Sequence, residues 1–202
     1  MAKNRANAGS TEGASEAHGL RARGGTVLAG CVIVLAVWAA YANSLSTPFV
    51  FDDLKSITQN STIRQLWPLT DVLSPPPHAT GAQGRPVVNL SFAINYAIGG
   101  LAVRGYHVTN LLIHALAGLA LFGIVRRTFS RPGLRESFGR GAMPLALTVS
   151  LVWVLHPLQT ESVTCVVQRS ESLMGLFYLL TLYGFIRAVE SAVPWRWQLF
   201  TV

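Results

Sequence analysis

Residues 106–125 read Tyr-His-Val-Thr-Asn-Leu-Leu-Ile-His-Ala-Leu-Ala-Gly-Leu-Ala-Leu-Phe-Gly-Ile-Val. No Asp, Glu, Lys or Arg interrupts them. Twenty such residues make a helix of about 30 Å, enough to cross the hydrocarbon core of a bilayer. This stretch decides the fold class: an all-α, multi-pass transmembrane helical bundle.

The rest of the chain agrees. Half of its 202 residues are hydrophobic and 12% are charged, against about a quarter charged in soluble domains. The mean hydropathy is +0.40. Thr26–Leu45 is a second uncharged run of spanning length. An uncleaved anchor is the preferred reading of it. The basic residues ahead of it and the Ala40-Tyr41-Ala42 pattern allow a cleaved secretory signal instead. The runs at about 142–156 and 172–188 are third and fourth candidates, short enough to need their flanks to complete a crossing. A fifth begins at about 197. Residues 1–25 read as a disordered tail, and 26–202 as one transmembrane region, the front of a longer protein.

The net charge of +7 marks topology. Lys3, Arg5, Arg21 and Arg23 lie in the tail, and Arg126, Arg127, Arg131, Arg135 and Arg140 between two apolar runs. Neither cluster has the aromatic interleaving of a nucleic-acid surface, so no nucleic-acid partner is expected. Short basic segments beside spans stay cytoplasmic. An even number of crossings then separates the two clusters. This leaves the helical stretch Pro86–Ile98 on the outer face and makes 46–105 a large outer loop. The segment from His156 to Glu171 faces the same side. Trp195-Arg196-Trp197 reads as an interfacial aromatic belt. Cys31 and Cys165 encode no disulfide or zinc framework.

Candidate chemistry gathers on that outer side. Asp52 and Asp53 follow the first span closely; a carboxylate beside apolar surface gains the basicity that a general base needs. The pair also allows a divalent cation, though two oxygen donors specify none. Equally, such acids mark the water boundary. His107, Asn110 and His114 share one helix face. His114 reads as a packing partner, and His107, at the outer mouth, as the functional candidate. Glu161 and Arg169 share a face if their segment is one helix, which fits a structural salt bridge. Alternatively Arg169, or Arg85 in the facing loop, grips a phosphate.

In order, Phe49-Val50-Phe51-Asp52-Asp53, the stretch Ile57 to Ile63 with Asn60, Arg85-Pro86, Tyr106-His107 with Asn110 and His114, Leu155 to Val163 and Arg169-Ser170-Glu171-Ser172-Leu173 resemble the amino-terminal part of GT-C glycosyltransferases. The nearest branch is the TMTC-type tetratricopeptide O-mannosyltransferase-like proteins and bacterial relatives. The resemblance covers about residues 30–190. It implies sugar transfer from a polyprenyl-phosphate carrier to an acceptor, protein included, on the outer or luminal face. It assigns the catalytic acid to Asp52 or Asp53, with Asp52 favoured as base. It places Arg85, His107, His156 and Arg169 around the donor phosphate, with Glu161 and Glu171 in support. The lipid-linked sugar is then a substrate, and no tightly bound cofactor or metal is expected. The membrane is the bacterial inner membrane, or the endoplasmic reticulum in a eukaryote. No 34-residue tetratricopeptide period is found. Other readings stand beside this one: a non-catalytic membrane scaffold or inactive truncated remnant, and a transporter with His107 and His114 along a polar path.

Overall fold

The computed structural model describes residues 23–197; the expected tail up to residue 22 and the fifth span beyond Trp197 lie outside them. The described residues form an all-α bundle. Its main helices are α1 (Arg23–Ser46), α2 (Pro86–Gly99), α3 (Val103–Phe129), α4 (Pro132–Phe138), α5 (Ala142–Val154) and α6 (Arg169–Glu190). Among the described residues three helices are long and apolar enough to cross a membrane, or four if α4 and α5, bent by 89° at their junction, count as one span.

The third helix is the axis of the bundle. Over its most apolar window 56% of residues are buried, against 22% in α1 and 17% in the span ending α6. The outward faces of α1 and α6 carry Val27, Leu28, Leu35, Phe177, Tyr178, Phe185 and Val189 exposed. In water such surface would aggregate; against acyl chains it is the expected boundary. Inside, Ile33, Val37, Leu111, Ala115, Ala146 and Val154 form one apolar cluster. Close approach depends on Gly118, where an added Cβ would sit 2.5 Å from Val154 Cγ1 and 3.2 Å from Ile33 Cγ2. Small residues let helices approach where no water drives them together.

Helix ends follow local chemistry. Pro86 supplies the fixed φ and missing N–H suited to the first turn of α2. Gly100, at φ +59, ends that helix with its N–H donating to the Tyr96 carbonyl at 2.7 Å. At α6, Glu171 lies in the first turn and Arg187 in the last, each matching the helix dipole. The spans run past the apolar cores read from sequence: α3 carries Arg126 and Arg127 in its last turn, and α6 runs from Arg169 to Glu190. By contrast α5 does not lengthen. Its 13 residues reach about 20 Å, because Gly139 to Gly141 turn the chain and α4 departs across the bundle end.

Chain direction alternates through α1, α3, α5 and α6, so the helix ends collect in two layers. One holds Thr26, Arg126, Arg127 and Glu190, joined by hydrogen bonds. The other holds Tyr41, Thr47, His107, Val154 and Arg169. The segment 47–102 folds over this second layer as a cap of short turns around α2, packed on Ile57, Ile63, Val72, Phe92 and Tyr106. It is far more ordered than the loop suggested by its prolines and glycines. Asn60 and Asn89, both fully buried, explain why. Asn60 Nδ2 donates to Asn89 Oδ1 at 2.8 Å and to the Ser56 carbonyl, while Asn89 Nδ2 donates to Thr62 Oγ1 and the Val72 carbonyl. These amides do the work of a sheet or helix ladder for an irregular backbone.

Candidate functional site

The candidate site residues read from sequence divide into buried organisers and exposed groups. The division begins at Phe51. Its φ of +48° is the left-handed region, which costs a bulky L-residue about 1–2 kcal/mol. Such outliers concentrate where function needs an unusual backbone. Of the two carboxylates that follow it, Asp53 is 1% exposed, whereas Asp52 is exposed.

Asp53 accepts the Val167 N–H at 2.7 Å on Oδ1 and the Val50 N–H at 3.2 Å on Oδ2. Burial pushes its carboxyl above the ordinary aspartate range; the two backbone bonds and the nearby His107 pull it partly back. It therefore pins the loop after α1 to the segment before α6. Close by, Gly81 donates its N–H to Ser56 Oγ at 2.9 Å, and a Cβ on Gly81 would collide with Val167. Glycine is required there for the cap to close on the same segment.

Arg169 is fully buried. Its Nε donates to Asn110 Oδ1 at 2.7 Å, Nη1 to Ser91 Oγ at 3.1 Å and Nη2 to the Tyr106 carbonyl at 2.9 Å. The guanidinium lies 4.7 Å from the Phe92 ring centre. Asn110 completes the knot by turning Nδ2 toward the Val163 and Cys165 carbonyls, at 3.3 Å each. One arginine thus joins α2, α3 and α6, with no surface left for a ligand. The salt bridge to Glu161 does not form. The stretch between them is not one helix but a series of short turns ending at Thr164 and Gln168. Glu161 is exposed and accepts from Gln168 Nε2 at 3.3 Å instead.

His107 is also buried, at 1% exposure. Its Nε2 lies 3.0 Å from the Thr47 carbonyl; a carbonyl only accepts, so this nitrogen carries the proton. His114 does the same for Val154, at 2.9 Å, and Tyr41 Oη donates to that carbonyl too, also at 2.9 Å. Together they satisfy the carbonyl left free at the end of α5. His114 stacks on Trp153, which is a packing arrangement.

Besides Asp52 and Glu161, three of the candidate groups are open to solvent or ligand: Arg85, Glu171 and His156. Arg85, at the start of α2, donates to Ser170 Oγ at 3.0 Å and lies 3.9 Å from the Glu171 carboxylate, with both charged side chains nearly half exposed. They stand at the head of a groove of about 300 Å³ between α2 and α6. Its walls are apolar: Pro86, Val87, Val88, Leu173, Met174 and Phe177. His156 is exposed, and its Nδ1 accepts the Leu158 N–H at 3.2 Å, capping the turn that follows. It makes no bond to Arg85 or Asp52. Among the described residues no three or more His, Cys, Asp or Glu side chains are grouped to hold a metal ion.

Sequence reasoning missed Ser91 and Ser170, the hydroxyls that receive Arg169 and Arg85, and the Asn60–Asn89 pair. Their signal was present. Each is a polar residue within an apolar run or a quoted motif, and such residues usually face protein.

The comparisons with known proteins point one way. The chain is 32% identical over 174 residues to protein O-mannosyl-transferase TMTC2 of Mus musculus, covering 81% of this chain and 20% of that protein. It is 31% identical over 168 residues to protein O-mannosyl-transferase Tmtc1 of Drosophila melanogaster, covering 79% and 18%. It is 31% identical over 166 residues to TMTC4 of Mus musculus, covering 75% and 22%. No family model matches the chain, and no solved structure does. The chain spans about a fifth of the length of these curated relatives. The matched region takes in both the cap and the helices that carry it, so this membrane bundle is a relative of the TMTC-type protein O-mannosyl-transferases.

Proposed function

We propose that this chain forms part of a GT-C-type membrane glycosyltransferase, carrying sugar from a polyprenyl-phosphate donor to a hydroxyl of a protein acceptor. The observation that carries the reading is the split after Phe51: one carboxylate is free and its neighbour is held fast. Asp52 is the base. It takes the proton of the acceptor hydroxyl as that oxygen bonds to the sugar C1. The bond from C1 to the phosphate oxygen breaks, its electrons leave with the lipid phosphate, and C1 inverts. A phosphate leaving group needs positive charge more than a proton. Arg85 supplies it at the head of the α2–α6 groove, and the apolar walls suit the first isoprene units. Glu171 holds the Arg85 fork in place, while Glu161 borders the same layer. His156 is the exposed second donor. Arg169 and His107, assigned by resemblance to the phosphate, act here by positioning.

The arginine-rich layer faces the cytoplasm, which puts the cap outside. The membrane is the bacterial inner membrane, or the endoplasmic reticulum in a eukaryote. The test is sugar transfer by the full-length protein in membranes. Asp52→Asn is expected to lower turnover by roughly a hundredfold or more, the usual contribution of a general base, with Asp53→Asn retaining most of it at permissive temperature. Full transfer by Asp52→Asn would overturn the base assignment.

A further inference from the structure

The layer opposite the cap holds a second built site. Arg126, Arg127 and Arg131 line a cavity of about 400 Å³ with Ser130, Pro132 and Glu190. Three arginines against one glutamate leave a formal charge of +2. The glutamate is already shared: Oε2 accepts from Arg127 Nη1 at 2.7 Å and Oε1 lies 3.8 Å from Arg131 Nε. Arg126 Nη1 donates to Thr26 Oγ1 at 2.9 Å. Three further guanidinium nitrogens, Arg126 Nε, Arg127 Nε and Arg131 Nη2, are buried with no acceptor among the described residues. Leaving such donors unmatched is costly, and a group with several anionic oxygens is their natural partner.

The second observation is what lies beside them. A groove of about 350 Å³ rises from Arg126 along α3 and α6, lined by Leu116, Leu119, Phe122, Leu176 and Leu180. Arg126 borders both spaces. One opening is polar and cationic, the other apolar and set among membrane-spanning helices. A free anion would use only the first. A neutral lipid would use only the second.

We infer that this end of the bundle binds one anionic phospholipid, its phosphate among Arg126, Arg127 and Arg131 and an acyl chain against Leu119, Leu176 and Leu180. Basic pockets at the ends of spans suit such head groups, each arginine near the surface contributing about 1 kcal/mol, or roughly fivefold in affinity. The site is separate from the cap, so it stands or falls independently of the transferase reading.

The experiment uses the full-length protein in a neutral detergent, with thermal unfolding followed as short-chain phosphatidylglycerol is added. Phosphatidylcholine of the same chains and inorganic phosphate are the comparison probes. Phosphatidylglycerol is expected to raise the unfolding temperature saturably, and the other two are not. In the doubly substituted Arg126→Gln, Arg131→Gln protein the half-effective concentration should rise roughly 25-fold, two steps of fivefold. Arg127 is left intact because it holds Glu190. Leu180→Trp fills the groove while leaving all three arginines in the chain, and should weaken the response at least fivefold. Equal stabilisation by phosphatidylcholine, or by inorganic phosphate, would overturn the proposal. So would no response of the wild-type protein to phosphatidylglycerol, a comparison that stands even if the arginine variant fails to fold.

Discussion

Replacing Arg169 by Leu separates a positioning arginine from a phosphate-binding one. The substitution removes three charged hydrogen bonds, to Asn110, Ser91 and the Tyr106 carbonyl. Hydrogen bonds to charged groups contribute about 1.5–3 kcal/mol each in water-soluble proteins, while polar contacts between membrane helices average about 0.6. Three bonds therefore bracket the loss between about 2 and 9 kcal/mol. The site lies at the mouth of the bundle, and leucine regains some packing on Phe92, so we expect about 3 kcal/mol. Arg169→Lys keeps the charge but not the planar fork, and should lose about 2 kcal/mol. The assay is the loss of helicity on titrating a denaturing detergent into the protein held in a mild one. Limited proteolysis of the cap should show earlier cutting, because the cap rests on Ser91 and Phe92. If Arg169→Leu unfolds with the wild type and loses only donor binding, the positioning role is refuted. Arg169 would then be a ligand group that some other conformation exposes.

Other substitutions test other joints. Asp53, raised by burial, favours the folded state when protonated. Its contribution is fully present below the ordinary aspartate value of about 4 and is lost as pH rises through the elevated one; Asp53→Asn should flatten that part of the stability–pH curve. Asn89→Ala opens the amide ring under the cap and should cost about 2 kcal/mol, seen as faster proteolysis between residues 47 and 85 with the spans intact. Gly118→Ala forces a methyl onto Val154 and Ile33, costing about 1–3 kcal/mol in the same detergent unfolding assay, with no change at the cap.

The residue pattern determined the class of this protein because membrane insertion is written locally. An uncharged run of twenty residues must pair its own backbone, and a helix is how a single segment does so. Charge placement also grouped the helix ends, and the structure joins Asp53 to Val167 and Arg85 to Ser170 as that grouping requires. Tertiary structure alone decided which polar residues are free. Asp52 and Asp53 are neighbours of identical chemistry, and only the packing of the loop against Val167 buries the second and leaves the first outside. Arg85 and Arg169 looked interchangeable as phosphate ligands. Packing buries the second among three helices and leaves the first at a groove. The cap's order was likewise hidden, since it comes from amides that meet across 29 residues of chain rather than from any local period. A side chain's type is set by its codon, but its exposure is a property of every segment that packs around it.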